Sequence, residues 1–185
     1  MVSVPFPNAG ANKNNNFKKD FNGENSGLVP PQNIQAEESV LGGILLDPDA
    51  IGRIADIIKP EAFYIGAHKE IYRTALMLHS QGKPTDLTSM SAWLADNGSL
   101  EKIGGNNKLV ELVENVSSTA SIEQIASLIS DKFLRRQLIR SGNEVVQLGF
   151  DQSQPTEEVL DKAEQKIFEI SQEKPSKGLT QAAEI

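Results

Sequence analysis

A narrow apolar seam on a charged helical segment near the carboxyl end is the feature that most constrains how this chain can fold. The seam consists of residues spaced three and four apart, which therefore share one helical face: Leu160, Ala163, Ile167 and Ile170. A seam of this kind pairs with another helix. Spacing alone leaves two alternatives open, an internal hairpin that packs only on itself and a contact with another molecule.

A longer helix is predicted just upstream of the seam. Ser121, followed three residues later by Gln124, matches a capping box, which marks the start of a helix. Apolar residues then recur on one helical face: Ile122, Ile125, Ile129 and Phe133. The pattern extends to about Gly149, and a turn then leads into the seam helix. The sequence therefore predicts an antiparallel helical hairpin over residues 117–172.

The segment before the hairpin, residues 34–116, contains shorter stretches with the same helical spacing, separated by glycine and proline. We therefore expect an all-α fold, in which a small helical bundle is followed by the long hairpin. Gly42 and Gly43 lie in the middle of the first helical stretch, where glycine lowers helix propensity. They indicate a second backbone packed closely against this helix. A phosphate-binding glycine loop is the alternative.

The two ends of the chain differ from the middle in composition. Residues 1–33 are rich in asparagine and their few apolar residues show no repeat, so we expect a disordered arm. Residues 173–185 begin with a linker-like stretch rich in lysine, proline, serine and glycine, and a further segment then starts. We expect this segment to lead into another domain of a longer protein.

Charge and cysteine content exclude several classes of function. A formal charge of −7 disfavours broad adsorption to nucleic-acid phosphates or anionic lipid, which depends on lysine and arginine. The absence of cysteine excludes disulfides and thiolate metal sites. No apolar run is long enough for a membrane span, so we expect a cytoplasmic location and no membrane partner. Basic residues cluster on the long helix, where a solvated face and a binding patch are the alternatives: Lys132, Arg135, Arg136 and Arg140.

No catalytic, cofactor or metal site is predicted from the motifs of the sequence. The Gly-Lys pair at residues 82–83 is not a nucleotide P-loop, because Met77 and Pro84 occupy positions that need glycine and a hydroxyl residue. His68 and His79 are the two histidines, and without cysteine a zinc site would have to recruit carboxylates. Local packing is the expected role of both histidines.

Several blocks of the sequence stand in a characteristic order. They are residues 30–42, 63–64, 67–68, 83–84, 86–87, 100–105, 134–140, 143–144 and 163–170. In this order the blocks resemble the N-terminal domain of the DnaB-type replicative DNA helicases, and the resemblance covers about residues 30–172. The chain departs from the family at residues 116–121, where relatives usually carry a proline-containing turn, and at Lys108 and Gln124, where tyrosine is common.

The resemblance implies a role in a larger assembly. Full-length members of the family are hexameric rings that unwind duplex DNA with a C-terminal RecA-like motor that uses ATP and magnesium. The N-terminal domains form a collar of dimers through the helical hairpin, and the collar docks the helicase-binding domain of primase and, in some lineages, a loader. We therefore expect no cofactor and no activity in this chain alone, contact with DNA only through the full ring, and a location at the nucleoid or, in an organelle, the plastid stroma.

Two sets of residues follow from this interpretation. The expected contacts between subunits are Ile122, Ile129, Phe133, Leu160, Ala163 and Ile167. The expected primase-docking residues form a mixed apolar and charged strip on the long helix: Leu128, Arg135, Arg136, Ile139 and Glu144. A protein of another class, a stand-alone helical interaction or regulatory protein without a motor, is the alternative.

Overall fold

A computed structural model describes residues 28–116 and 121–172 of the chain. Over these ranges the backbone forms α-helices and short 3₁₀ turns without any β-strand, which confirms the expected all-α class. Most of the predicted arm, the turn at residues 117–120 and the linker at residues 173–185 lie outside the described residues. None of the described helices is long and apolar enough to cross a membrane.

Short helices form the first part of the described chain and two long ones form the second. The helices are α1 (Ile34–Leu46), α2 (Ala50–Ile54), α3 (Gly66–Ser80), α4 (Leu87–Asp96), α5 (Gly105–Glu114), α6 (Ile122–Phe150) and α7 (Thr156–Gln172). Two 3₁₀ turns, Pro60–Ala62 and Glu101–Ile103, lie between them. At 1.5 Å per residue, the 29 residues of α6 extend about 43 Å, which is longer than the bundle helices by a factor of about two or more.

Local side chains explain where three of these helices begin. Asn33 accepts a hydrogen bond from the Ala36 amide at the start of α1, and Ser121 accepts one from the Gln124 amide at the start of α6. Asp86 accepts from the amides of Thr88 and Ser89 at the start of α4. These bonds, the one from Ser89 first, lower the pKa of Asp86. The capping box predicted at Ser121 therefore marks a true helix start.

Helix α1 is the central element of the bundle and packs against α3, α5 and α6. A Cβ atom at Gly42 would overlap the Leu112 carbonyl oxygen of α5, so the close approach of these two helices requires glycine. The predicted close contact of a second backbone is thus confirmed. The bundle core also holds Phe63 and Tyr72, whose ring centroids lie 4.9 Å apart.

The core of the bundle does not end before the hairpin. Ala126 and Ile129, in the first two turns of α6, are buried in the same cluster as the side chains of α1 to α5. The predicted division after residue 116 stays a prediction, but it would separate Ala126 and Ile129 from the core to which they contribute. Residues 121–133 belong to the bundle as well as to the long helix, and residues 31–172 belong to one compact unit over their described part.

Beyond the bundle, α6 pairs with α7 to form the expected hairpin. An ion pair between Glu144 and Lys166, 2.8 Å apart, joins the two helices. Val159, Ala163 and Ile170 on α7 are half-buried, whereas none of the described α7 residues is fully buried. The hairpin therefore leaves much of its surface open.

Candidate interaction surface on the helical hairpin

One face of α6 packs against the bundle of the same chain. Ile129 is only 2% exposed and lies in the bundle core, and Ile122 and Phe133 pack against that core. Ile129 is therefore an intramolecular contact, which corrects its assignment to the subunit interface, whereas Ile122 and Phe133 are partly buried and their contact with another subunit stays a prediction. The physical reason is that a helical apolar repeat fits a neighbouring helix of the same chain as well as one of another chain.

The seam on α7 divides between two faces. Ala163 and Ile170 are half-buried on the side of the hairpin, whereas Leu160 and Ile167 are exposed. Phe168 is exposed beside Ile167 and was not among the predicted residues. Its position directly after a seam residue is the signal that could have added it, because it widens the stripe on the outer face.

The far half of α6 and the outer face of α7 together carry large exposed apolar side chains. They are Leu138, Phe150, Leu160, Ile167 and Phe168, with exposed fractions from 42% to 62%. We call this set the hairpin apolar surface. The Glu144–Lys166 pair fixes an antiparallel register that places Phe150 about level with Leu160. Apolar side chains of this size gathered on one pair of helices are typical of a protein interaction site.

The outer face of α6 carries part of the predicted docking strip. Leu128, Arg135 and Ile139 are spaced seven and four residues apart, which puts them on one helical face, and all three are exposed. Leu128 also lines an open groove of about 270 Å³ between the starts of α1 and α6. Among the described residues, Arg135 pairs only with Asp131, one turn back on the same helix, at 2.9 Å. These three residues are free to meet a partner.

The other two predicted docking residues have partners within the chain. Arg136 donates hydrogen bonds to the carbonyl oxygens of Pro31 and Ala62. Glu144 lies 2.8 Å from Lys166 and 3.2 Å from Arg140, and hydrogen bonds from these groups, Lys166 first, lower its pKa. Arg136 therefore joins α6 to the bundle, and its predicted role in docking stays a prediction. Glu144 braces the hairpin.

A buried polar cluster lies beneath the start of α3. Glu37 and His68 are each 1% exposed, and His68 Nδ1 lies 2.9 Å from Glu37 Oε2. Glu37 Oε1 also accepts a hydrogen bond from the Tyr64 amide at 2.6 Å. The carboxylate is thus occupied by neighbours of its own bundle, and the described residues hold no group of three or more metal-binding side chains. The cluster is part of the scaffold.

Comparison with known proteins decides the family. The family model for the DnaB-like helicase N terminal domain matches residues 29–131. The chain belongs to this family. A replicative DNA helicase DnaB from Nostoc sp. is 54% identical over 164 residues, which make up 89% of the chain and 19% of the relative. The chain therefore spans about a fifth of the length of this DnaB helicase.

Solved structures of DnaB proteins share the fold. The N-terminal domain of DnaB helicase from Mycobacterium tuberculosis superposes with a TM-score of 0.70 at 38% identity, over 76% of this chain and 99% of that one. A DnaB-like replicative helicase, described with its interactions with primase, superposes with a TM-score of 0.63 at 29% identity. The match covers 75% of this chain and 31% of that helicase. The bundle and hairpin are therefore those of a DnaB N-terminal domain.

Proposed function

We propose that this DnaB N-terminal domain is a collar segment of a replicative DNA helicase, and that it associates with a second copy through the hairpin apolar surface. The observation that carries the proposal is the exposure of five large apolar side chains on the helix pair beyond the bundle core. Burying such side chains contributes on the order of 1.5–3 kcal/mol each. Domains paired in this way are units from which a ring is built.

The proposed parent protein unwinds duplex DNA with a motor domain that binds ATP and magnesium. The identity of the relatives as replicative DNA helicases supports this, since the chain spans only about a fifth of the Nostoc relative. Reading the open frame past residue 185 tests it directly. A Walker-type Gly-Lys-Thr/Ser loop downstream supports the helicase, and a stop codon would favour a stand-alone interaction protein instead.

A substitution on α7 tests the association. Ile167→Asp places a charge on the hairpin apolar surface, and we expect the dimer of the whole chain to weaken by about tenfold or more in sedimentation experiments. Met77→Asp is the matched control, because Met77 is exposed to a similar extent, 42% against 47% for Ile167, but lies on α3 in the bundle. If both variants sediment like the parent at every concentration, the hairpin apolar surface is not the interface.

We further propose that the outer face of α6, with Leu128, Arg135 and Ile139, docks the helicase-binding domain of a primase. A mixed apolar and charged strip suits a reversible contact, and the interaction of the DnaB-like structural neighbour with primase supports this partner. Arg135, the charged residue of this strip, makes no hydrogen bond or ion pair with the bundle in the described part of the chain.

Charge reversal on that strip tests primase docking. Arg135→Glu should lower the affinity for the cognate primase fragment in calorimetry, because it alters the charge of the strip without disturbing the bundle. Lys102→Glu makes the same change at an exposed site in the bundle and should leave the affinity as it was. Equal affinities for the parent and both variants would remove Arg135 from the docking surface.

A further inference from the structure

Among the described hydrogen bonds and ion pairs, those of Arg136 are the last along α6 that reach the bundle. Upstream of it, Ile122, Ile129 and Phe133 hold the helix against the core. Downstream of it, the described hydrogen bonds and ion pairs of α6 stay within the hairpin or the helix itself. Arg136 therefore lies at the point where the 29-residue α6 leaves the bundle and continues into the hairpin with α7 of the same chain.

The guanidinium of Arg136 joins separate segments of the bundle. Nη1 donates a hydrogen bond of 2.7 Å to the Pro31 carbonyl, which precedes α1, and Nη2 donates to the Ala62 carbonyl in the first 3₁₀ turn. Its central carbon lies 5.6 Å from the centroid of the Tyr64 ring and 5.8 Å from that of Phe133. A planar fork with donors on two sides can satisfy both carbonyls at once.

The loop that Arg136 contacts is itself held in place by a buried carboxylate of α1. Glu37 accepts hydrogen bonds from the amides of Tyr64 and Ile65, at 2.6 Å and 3.4 Å, and its other contact is His68. Burial lowers the pKa of Arg136, and the nearby Glu37 carboxylate acts in the opposite direction. The segment on which Arg136 rests is thus fixed in the core, so it can serve as a rigid support for the helix.

We infer that Arg136 is a positioning residue that sets the direction of the hairpin relative to the bundle by bridging the Pro31 and Ala62 carbonyls under α6. Without the bridge the bundle stays folded, since its core lies upstream, but the far part of α6 can swing about its last core contact, Phe133. The inference rests on the proposed function only for its consequence, which is that the hairpin apolar surface is presented to a partner in one orientation.

Distance measurements between the two parts test this inference without requiring association. The chain contains no cysteine, so Ala95→Cys on α4 and Glu164→Cys on α7 give a unique pair of spin-label sites, both exposed. Labelled chains are diluted into an excess of unlabelled parent, and the distance distribution is measured by pulsed electron double resonance. The parent should give one narrow distribution.

Two substitutions at adjacent positions provide the contrast. Arg136→Met should broaden and shift the distribution. Arg135→Met, which removes the same charge from the adjacent residue, should leave it narrow, because the ion pair that the described residues give Arg135 is with Asp131 of the same helix. Arg136→Lys keeps the charge but loses the fork, and it should broaden the distribution as well. Circular dichroism at the measuring temperature should show the same helicity in every variant.

Three outcomes would overturn the inference. These are a distribution for Arg136→Met as narrow as that of the parent, equal broadening by Arg135→Met, and a narrow distribution restored by Arg136→Lys. Failure of the proposed subunit association, by contrast, would appear as sedimentation of the Ile167→Asp variant that equals that of the parent. It would leave these intramolecular distances unchanged. The two proposals can therefore fail separately.

Discussion

Glu37 shows how a single carboxylate can fix a loop and thereby a larger part of the molecule. It is almost fully buried, and its two oxygens meet the amides of Tyr64 and Ile65 and the His68 ring. A buried charge is tolerated only when its hydrogen-bonding sites are filled in this way. The aromatic loop over which Arg136 lies is therefore held by a side chain from α1.

Removal of this carboxylate should be strongly destabilising. Glu37→Ala leaves two amides and a buried imidazole without their acceptor, and we expect the free energy of unfolding to fall by about 3 kcal/mol or more. Glu38→Ala removes the same charge from the next residue, where the carboxylate pairs with Lys108 at a partly exposed site, and should cost about 1 kcal/mol or less. Urea unfolding of the two variants measures the difference, and equal losses would contradict the role given to Glu37.

Glycine has opposite effects at two helical positions. At Gly42 a methyl group would overlap the backbone of α5, so Gly42→Ala should destabilise the bundle by about 1–3 kcal/mol. At Gly142 no atom lies within 4 Å of an added Cβ, so Gly142→Ala should stabilise α6 by up to about 1 kcal/mol through helix propensity alone. Thermal unfolding of both variants tests the pair, and a change of the same sign in both would refute the packing argument.

The helices themselves were largely predictable from the sequence, because caps and apolar spacing act over a few residues. The start of α6 at Ile122 follows from the Ser121 cap, and the α7 seam follows from its spacing. The faces of α6 were not predictable in the same way. Whether Ile129 meets the bundle or another subunit depends on where α1 lies in space, which the local pattern does not contain.

Arg136 marks the limit of prediction most clearly. Its two carbonyl partners are 105 and 74 residues away in the sequence, and no local motif indicates them. Leu128, Arg135 and Ile139, in contrast, lie exposed on one face of α6. Their role in docking primase stays a prediction.

The ion pair between Glu144 of α6 and Lys166 of α7 should make the hairpin sensitive to acid. The pKa of Glu144 is lowered in the folded chain, so its stabilising effect is present above the ordinary carboxyl range, near about pH 4.3, and is lost as the pH falls through the lowered value. The pKa of Lys166 is raised by Glu144, so its effect is lost only as the pH rises through that higher value. Neutral pH lies inside the window in which both act.

Hydrogen exchange of the α7 amides measures how much this ion pair stabilises the hairpin. Glu144→Gln should speed amide exchange in α7 at neutral pH, and the difference from the parent should shrink as the pH is lowered below the carboxyl range. Glu164→Gln makes the same change on the outer face of α7, where the residue is exposed, and should have little effect at either pH. A difference that persists unchanged in acid would exclude the ion pair as its cause.

Helix α6 belongs to two parts of the molecule at once, which couples the bundle to the hairpin. Its first turns supply Ala126 and Ile129 to the core, and its far half pairs with α7. Because α6 is one continuous helix, the contacts that hold its first part, including the Arg136 bridge, determine where its far end lies. The bundle therefore acts as the base that sets the position of the hairpin apolar surface.

Truncation of the chain at different points should reveal this shared core. A chain ending at residue 140 keeps all core contacts of α6, and we expect it to unfold cooperatively like the full chain. A chain ending at residue 116 matches the boundary suggested by sequence but exposes the surface that Ala126, Ile129 and Phe133 cover. Burying one large apolar side chain is worth about 1.5–3 kcal/mol, a large share of the stability of a small domain.

We expect the shorter chain to lose cooperative unfolding, measured by near-ultraviolet circular dichroism on heating, while a chain ending at residue 150 behaves like the one ending at 140. The comparison separates the contribution of α6 to the core from that of α7, since neither of the two longer chains contains α7. The contrary outcome is that the chain ending at residue 116 unfolds in a sharp transition at the same temperature as the full chain. This result would show that the first turns of α6 are not part of the core, and it would contradict the coupling between bundle and hairpin.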